Sequence, residues 1–171
     1  SMFRPGPLQF IDDVINVKNG AKPTYLTPEL EPILSKTYGA IVYQEQVMEI
    51  LQKLAGYSLG AADQVRRYMS KKKVAKMEAE RQVFIYGSEE KNIPGCVKNE
   101  ISAEIGNQIY DKMIDFAKYA FNKSHAAAYA TNSYYTGWLK YYYPADFLSA
   151  AMNWAKNEKI PGLMGEAIPF G

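Results

Sequence analysis

From Tyr43 onward, apolar residues recur at spacings of three and four, and nowhere do apolar and polar residues alternate long enough to make a convincing strand. That periodicity is the mark of amphipathic helices. Val47, Ile50, Leu51 and Leu54 fall at i, i+3, i+4 and i+7, one face of a helix that Gly56 can end. Ser58 can cap a second helix over 59–69, and the mixed-charge stretch 73–86 reads as a third, with Met77, Val83 and Phe84 turned inward. A polar loop over 87–95 follows. Ile105, Ile109, Met113, Phe116 and Ala120 then mark a long helix over 101–119. Asn122 interrupts the pattern before an alanine- and tyrosine-rich helix over 124–142, and Pro144 suits the N1 position of a last helix over 145–156. The expected fold class is mostly α, a multi-helix domain with an irregular N-terminal lead-in and little or no sheet.

The two ends read differently. Arg4-Pro5-Gly6-Pro7 is rich in turn formers, Ile11, Val14, Ile15 and Val17 suggest a short helix, and Thr27-Pro28 is a capped start for another short helix through Leu34. Residues 160–171 hold three glycines, two prolines and no basic residue, so the tail is expected to be irregular. Ser1 ahead of Met2 reads as a cloning scar, which makes residues 1–2 foreign to the fold.

Charge and cysteine usage narrow the function classes. Twenty basic residues against 18 acidic ones leave a net charge of only +2, so any electrostatic role must rest on where the cations sit. A single cysteine, Cys96, allows no internal disulfide, and with one histidine there is no thiol and imidazole set for zinc. Both facts fit a reducing cytoplasm. No uncharged run approaches the roughly 18–20 residues of a membrane span, and no signal peptide is evident. The expected location is cytoplasmic, with no membrane partner.

Two segments could carry chemistry. Arg66, Arg67, Lys71, Lys72 and Lys73 put five cations into the eight residues RRYMSKKK. A triphosphate needs several cations on a small volume: arginine offers a planar fork for phosphate oxygens, lysine a compact charge. On a helix Arg67 and Lys71 share a face, while Arg66 is offset by about 100°, so the two arginines are not expected to meet one small ligand. A basic helix C-terminus can equally serve only to complement the macrodipole.

In FNKSHAAAYA, residues 121–130, Asn122 or Ser124 can cap the next helix and leave first-turn N–H groups to meet an anion. Lys123 and His125 flank that end, and His125 and Tyr129 are at i, i+4. A capped, alanine-rich core helix with one hydrogen-bonded histidine is the plainer alternative. Tyr129, Tyr134, Tyr135, Trp138, Tyr141, Tyr142 and Tyr143 could stack on bases, but core packing is the expected place for most of them. Two-metal nucleotidyl transfer asks for carboxylates set close together. Asp12-Asp13, Glu29 with Glu31, and Glu89-Glu90 stand apart from the basic segments, so no catalytic or metal-binding residue is assigned.

Taken in order, Phe3–Pro7 (FRPGP), Tyr38–Met48 (YGAIVYQEQVM), Leu54–Gly60 (LAGYSLG), Arg66–Lys73 (RRYMSKKK), Phe121–Ala130 (FNKSHAAAYA) and Trp138–Phe147 (WLKYYYPADF) resemble consecutive blocks of the bacterial replicative DNA polymerase III alpha subunit. The resemblance covers residues 3–150 and fades after about Asn153. It implies a palm-to-fingers lead-in over 3–42 and a helical fingers domain over 43–156; the tail over 157–171 is expected to be irregular on its composition. It implies further that Arg66, Arg67, Lys71, Lys72, Lys123 and His125 contact triphosphate or DNA phosphates, and that Asn122, Ser124 and Tyr129 position them. Ser70 stands where the family pattern suggests glycine.

The parent activity implied is that of a DNA-directed DNA polymerase, a nucleotidyltransferase of DNA replication. Its partners would be primer–template DNA, deoxynucleoside triphosphates and the palm. Mg2+ would be held by palm aspartates absent from this sequence, and the chain by itself would hold no cofactor and be inactive. The competing reading is a non-enzymatic helical protein-interaction module whose basic runs are solvated faces.

Overall fold

The computed structural model describes residues 10–71, 73–117 and 121–170. In chain order its α-helices are α1 (Ile11–Lys18), α2 (Glu31–Leu34), α3 (Gln44–Ala55), α4 (Leu59–Ser70), α5 (Val74–Tyr86), α6 (Ala103–Ala117), α7 (Lys123–Tyr142), α8 (Pro144–Trp154) and α9 (Ile160–Ala167). Short 3-10 turns flank several of them, Pro28–Leu30 before α2 among them. Among the described residues β-pairing is confined to two isolated bridges, Tyr43 with Phe121 and Ser88 with Ile93. The fold is mostly α, as the periodicity predicts.

Two compact units make up the chain, the first ending at Lys123 and the second beginning at Ser124. The first is built around α3. Its Val47, Ile50, Leu51 and Leu54 are completely buried, as their spacing requires, against Ala62, Val65 and Met69 of α4, Phe84 and Ile85 of α5, and Ile109, Tyr110 and Met113 of α6. Each such side chain contributes about 1.5–3 kcal/mol by leaving water. The lead-in belongs to this unit, since Leu30, Ile33, Leu34 and Ile41 join the same core. The division between the two compact units falls inside α7.

Local chemistry sets the helix ends. Gly56 closes α3 in the left-handed region (φ 77°), and the Ser58 hydroxyl accepts from the Ala61 N–H to start α4. The loop after α5 folds back as a tight hairpin, with the Ser88 N–H donating to the Ile93 carbonyl at 2.8 Å. Gly87 and Gly95, both at positive φ, lie backbone on backbone, so a Cβ on Gly95 would run into Gly87.

In the second unit two expectations are overturned. The tail is not irregular: it forms α9, which packs on α8, and a Lys140–Glu166 ion pair ties α9 to α7. Pro161 sits in the first turn of α9, where its missing N–H removes no intrahelical bond. The helix starting at Pro144 is thus not the last. Nor are the tyrosines and Trp138 of α7 in a core. Tyr129, Tyr134, Tyr135, Tyr141 and Tyr142 are all more than half exposed, and α7 has no buried residue. A unit this short encloses too little volume to cover so many rings; only Leu148 is buried there among the described residues. The rings pack on each other instead, Trp138 lying 4.8 Å from Tyr142 and 5.7 Å from Tyr143.

Candidate phosphate-contact site

Arg66 and Arg67 lie in the last part of α4, and Asp63 sits one turn before them. Arg66 approaches Asp63 Oδ1 through Nε at 2.8 Å and Nη2 at 2.7 Å, while Arg67 Nε donates to Oδ2 at 2.8 Å. Two adjacent arginines therefore do reach one small anion, against the expectation from their angular offset. Helical side chains lean toward the N-terminus, and the i−3 and i−4 positions of neighbouring residues converge on the same turn. Hydrogen bonding from Arg66, reinforced by Arg67, holds the Asp63 carboxyl below the usual carboxylate range. The carboxylate inventory taken from sequence passed over Asp63, although its i+3 and i+4 arginine spacing was the available signal.

Arg66 has a second partner outside its own helix. Its Nη1 donates to Gln44 Oε1, in the first turn of α3, at 3.0 Å. The adjacent Glu45 takes the other basic element: the Lys123 backbone N–H, at the start of α7, lies 3.1 Å from each Glu45 carboxylate oxygen. The Lys123 ammonium is 6.0 Å from the centroid of the Tyr43 ring. Phe121 completes the link, its N–H donating to the Val42 carbonyl and its carbonyl accepting from the Gln44 N–H at 3.0 Å.

Gln46 fixes this turn from below. Its buried amide accepts from the Val42 and Tyr43 N–H groups at 2.8 and 3.0 Å and donates to the Ile33 carbonyl and the Thr37 hydroxyl. Four consecutive residues, Tyr43-Gln44-Glu45-Gln46, thus carry the polar framework of the site. Sequence reasoning placed them within a resembling block but gave them no role. Their signal was a run of amide and carboxylate side chains at a helix start, where backbone donors await partners.

The first N–H of α7, expected to be open to an external anion, is already capped by Glu45. Arg66 and Lys123 are drawn to neighbouring residues of α3, and Arg67 joins Arg66 through Asp63. Arg67 is well exposed at 61 %, against 27 % for Arg66. Lys71 is the exposed C-cap of α4, Lys73 precedes α5, and Lys72 lies outside the described residues, as do Phe3–Pro7 and Ala120. Asn122 adjoins Lys123 in the first unit. In the second, Ser124 and His125 follow within α7, and the His125 imidazole stands 4.6 Å from the Tyr129 ring, as i, i+4 spacing predicts.

Among the described residues no three His, Cys, Asp or Glu side chains are grouped so as to hold a metal ion, and no helix is long and apolar enough to cross a membrane. Two carboxylates at the candidate site, Asp63 and Glu45, are engaged by guanidinium and backbone N–H donors. This donor set does not fit a catalytic metal pair.

A family model described as the bacterial DNA polymerase III alpha subunit finger domain matches residues 1–92. The chain is 45% identical over 181 residues to the DNA polymerase III subunit alpha of Pasteurella multocida, covering 100% of this chain and 15% of that protein. The corresponding protein of Halalkalibacterium halodurans is 47% identical over 169 residues, covering 97% of this chain and 14% of the relative. That of Caulobacter vibrioides is 49% identical over 174 residues, 100% of this chain and 14% of the relative. The similarity therefore does not fade at Asn153 but continues through the tail. The chain spans about one seventh of the length of these relatives. With residues 1–92 matched, it belongs to the bacterial DNA polymerase III alpha subunit finger domain family.

Proposed function

We propose that this chain is the part of a bacterial replicative DNA polymerase that contacts the phosphates of the incoming nucleoside triphosphate and of the primer–template. The observation that carries the reading is that the Arg66 guanidinium and the Lys123 backbone N–H are held by consecutive residues, Gln44 and Glu45. A guanidinium fixed in this way neutralises phosphate charge without reorganising when the ligand arrives, which is how charge developing on a leaving pyrophosphate is stabilised. The reaction served is template-directed nucleotidyl transfer in DNA replication, in the cytoplasm. His125 adds a further phosphate contact, with Asn122, Ser124 and Tyr129 as positioning groups. Lys71 and Lys72 extend the basic run.

Among the described residues no His, Cys, Asp and Glu set is grouped to hold a metal pair. Mg2+ would be held by the palm of the longer protein, and the chain alone would be catalytically inactive. The exposed rings of α7 support a second reading for the second unit, a surface that packs against another protein segment, with the basic runs as solvated faces.

A salt titration tests the first reading. Each phosphate neutralised on duplex DNA adds about −0.9 to the slope of log K against log salt, so four contacts give a slope near −3.6, with affinity on the order of 10⁻⁴ to 10⁻⁶ M at physiological salt. Replacing Arg66 and Arg67 by alanine flattens that slope equally for all sequences. Replacing the exposed Lys18 and Lys22 leaves it unchanged. Equal effects of the two double substitutions would leave the interaction-module reading in possession.

A further inference from the structure

We infer that Gln44 is a positioning residue for phosphate contact: its amide holds the Arg66 guanidinium at a fixed angle for a ligand phosphate. The inference rests on the phosphate-contact reading and adds to it a residue with no charge of its own. Arginine carries five N–H donors in a rigid plane. Nε and Nη2 approach Asp63 Oδ1, and Nη1 donates to Gln44 Oε1 at 3.0 Å. Two N–H groups are spent in hydrogen bonds and Nη2 in an ion pair, which leaves N–H groups on the Nη nitrogens to meet phosphate oxygens.

Asp63 alone cannot set that direction. It lies on the same helix as Arg66, and it is shared with Arg67. Gln44 comes from α3, so its bond to Nη1 fixes the guanidinium plane from a second element. As a neutral acceptor it does so without cancelling charge that a phosphate must meet. Gln44 is itself held by its backbone N–H, which donates to the Phe121 carbonyl at 3.0 Å, two residues before Lys123. The Arg66 fork and the Lys123 end of α7 are thereby referred to one turn of backbone.

The test is a double-substitution cycle on the full chain, titrated at low salt with inorganic tripolyphosphate and, separately, with a primer–template duplex. Arg66→Ala weakens binding. Gln44→Ala weakens it by roughly fivefold, the worth of one hydrogen bond, and produces no further loss once Arg66 is alanine. Gln44→Met, of similar length but without the acceptor, reproduces the loss and serves if the alanine variant does not fold. A non-additive loss with either probe supports the inference, and the probe that responds identifies the phosphate as nucleotide or DNA. If Arg66→Ala weakens binding but the Gln44 variants do not, or weaken it equally in both backgrounds, the inference is overturned and the phosphate-contact reading survives. If Arg66→Ala itself changes nothing, both fall.

Discussion

The hydroxyl of Tyr57 donates to the carboxylate of Glu80 at 3.1 Å in the interior of the first unit, where both residues are buried. Lys91, from the hairpin after α5, pairs with the other carboxylate oxygen, so one acid pins that hairpin to the turn between α3 and α4. Burial, then the neighbouring Glu80 charge, pushes the Tyr57 hydroxyl well above its ordinary value of about 10. Burial likewise raises Tyr110, and it pushes the Cys96 thiol up to about 12.

These shifts give stability an alkaline limit. The folded chain keeps protons that the unfolded chain loses, so unfolding is coupled to proton release once pH exceeds the unfolded values. Stability is full below about pH 8.5, the ordinary thiol value, and falls first with Cys96 and then, above about 10, with the tyrosines. Each fully coupled group contributes a slope of about 1.4 kcal/mol per pH unit. Tyr57→Phe removes one of them, and also costs about 1–3 kcal/mol at neutral pH by depriving buried Glu80 of a donor. Urea unfolding between pH 7 and 11 measures both; an unchanged alkaline slope in Tyr57→Phe would contradict the assignment.

Asp63 should behave as a brake on phosphate binding. Its carboxylate takes donors from both Arg66 and Arg67 and so competes with a ligand for them. Asp63→Asn keeps an acceptor while removing the charge. Tripolyphosphate binding should tighten by about threefold at low salt, the effect of one nearby unit charge in a high dielectric. The gain should shrink as salt rises to about 1 M, where screening reaches a few ångströms. Weaker binding at every salt concentration would make Asp63 an orienting group instead.

The legible part of the fold was the part governed by local pattern. The Val47–Leu54 face, the Gly56 stop and the Ser58 cap follow from spacing and single-residue chemistry, and all three stand in the structure. The rings of α7 were misplaced because periodicity tells which residues share a face and not whether anything covers it. The tail was misread because Pro161, Gly162 and Gly165 look like breakers, while helix α9 is sustained by packing on α8. In the site, cations were visible as a run of like charge. Their partners Asp63, Gln44 and Glu45 were not, since the last two meet their ligands across sequence separations of 22 and 78 residues.

Stability measurements should separate covered from uncovered apolar groups. Leu54→Ala empties a completely buried site in α3 and should cost about 2–5 kcal/mol. Trp138→Ala removes a larger side chain, but one that is 43% exposed and packs its ring on Tyr142 and Tyr143, so the cost should stay near 1 kcal/mol. Denaturant unfolding of the two variants side by side decides the matter. A Trp138 loss as large as that of Leu54 would mean the α7 rings are covered in solution.

Gly95→Ala tests the hairpin that Glu80 and Lys91 hold. The left-handed φ of 81° alone costs an L residue about 1–3 kcal/mol, and the new Cβ would strike the Gly87 backbone, which has no side chain to swing aside. A total loss above about 3 kcal/mol is expected, with the Cys96 N–H to Phe84 carbonyl bond among the first contacts to open. Hydrogen exchange at the Cys96 amide reads this directly: faster exchange there with little change at the Val47–Leu54 amides is the expected pattern. Uniform acceleration across both would mean that the hairpin and the α3 core unfold as one.

In-line nucleotidyl transfer with two metals needs carboxylates that can bridge ions a few ångströms apart. Beside the basic residues, Asp63 and Glu45 are each spent, one on two guanidinium groups and the other on the Lys123 backbone N–H. Metal binding would have to displace the two guanidinium groups from Asp63 and uncap the Lys123 N–H at Glu45, so neither carboxylate stands open to an ion. The chain should therefore extend no primer when given a primer–template, all four deoxynucleoside triphosphates and Mg2+ or Mn2+, even at concentrations that saturate its phosphate contacts. Primer extension resolved on a denaturing gel provides the measurement. Extension that survives repurification and is lost in a variant carrying both Asp63→Asn and Glu45→Gln would locate a metal site here and sink the prediction.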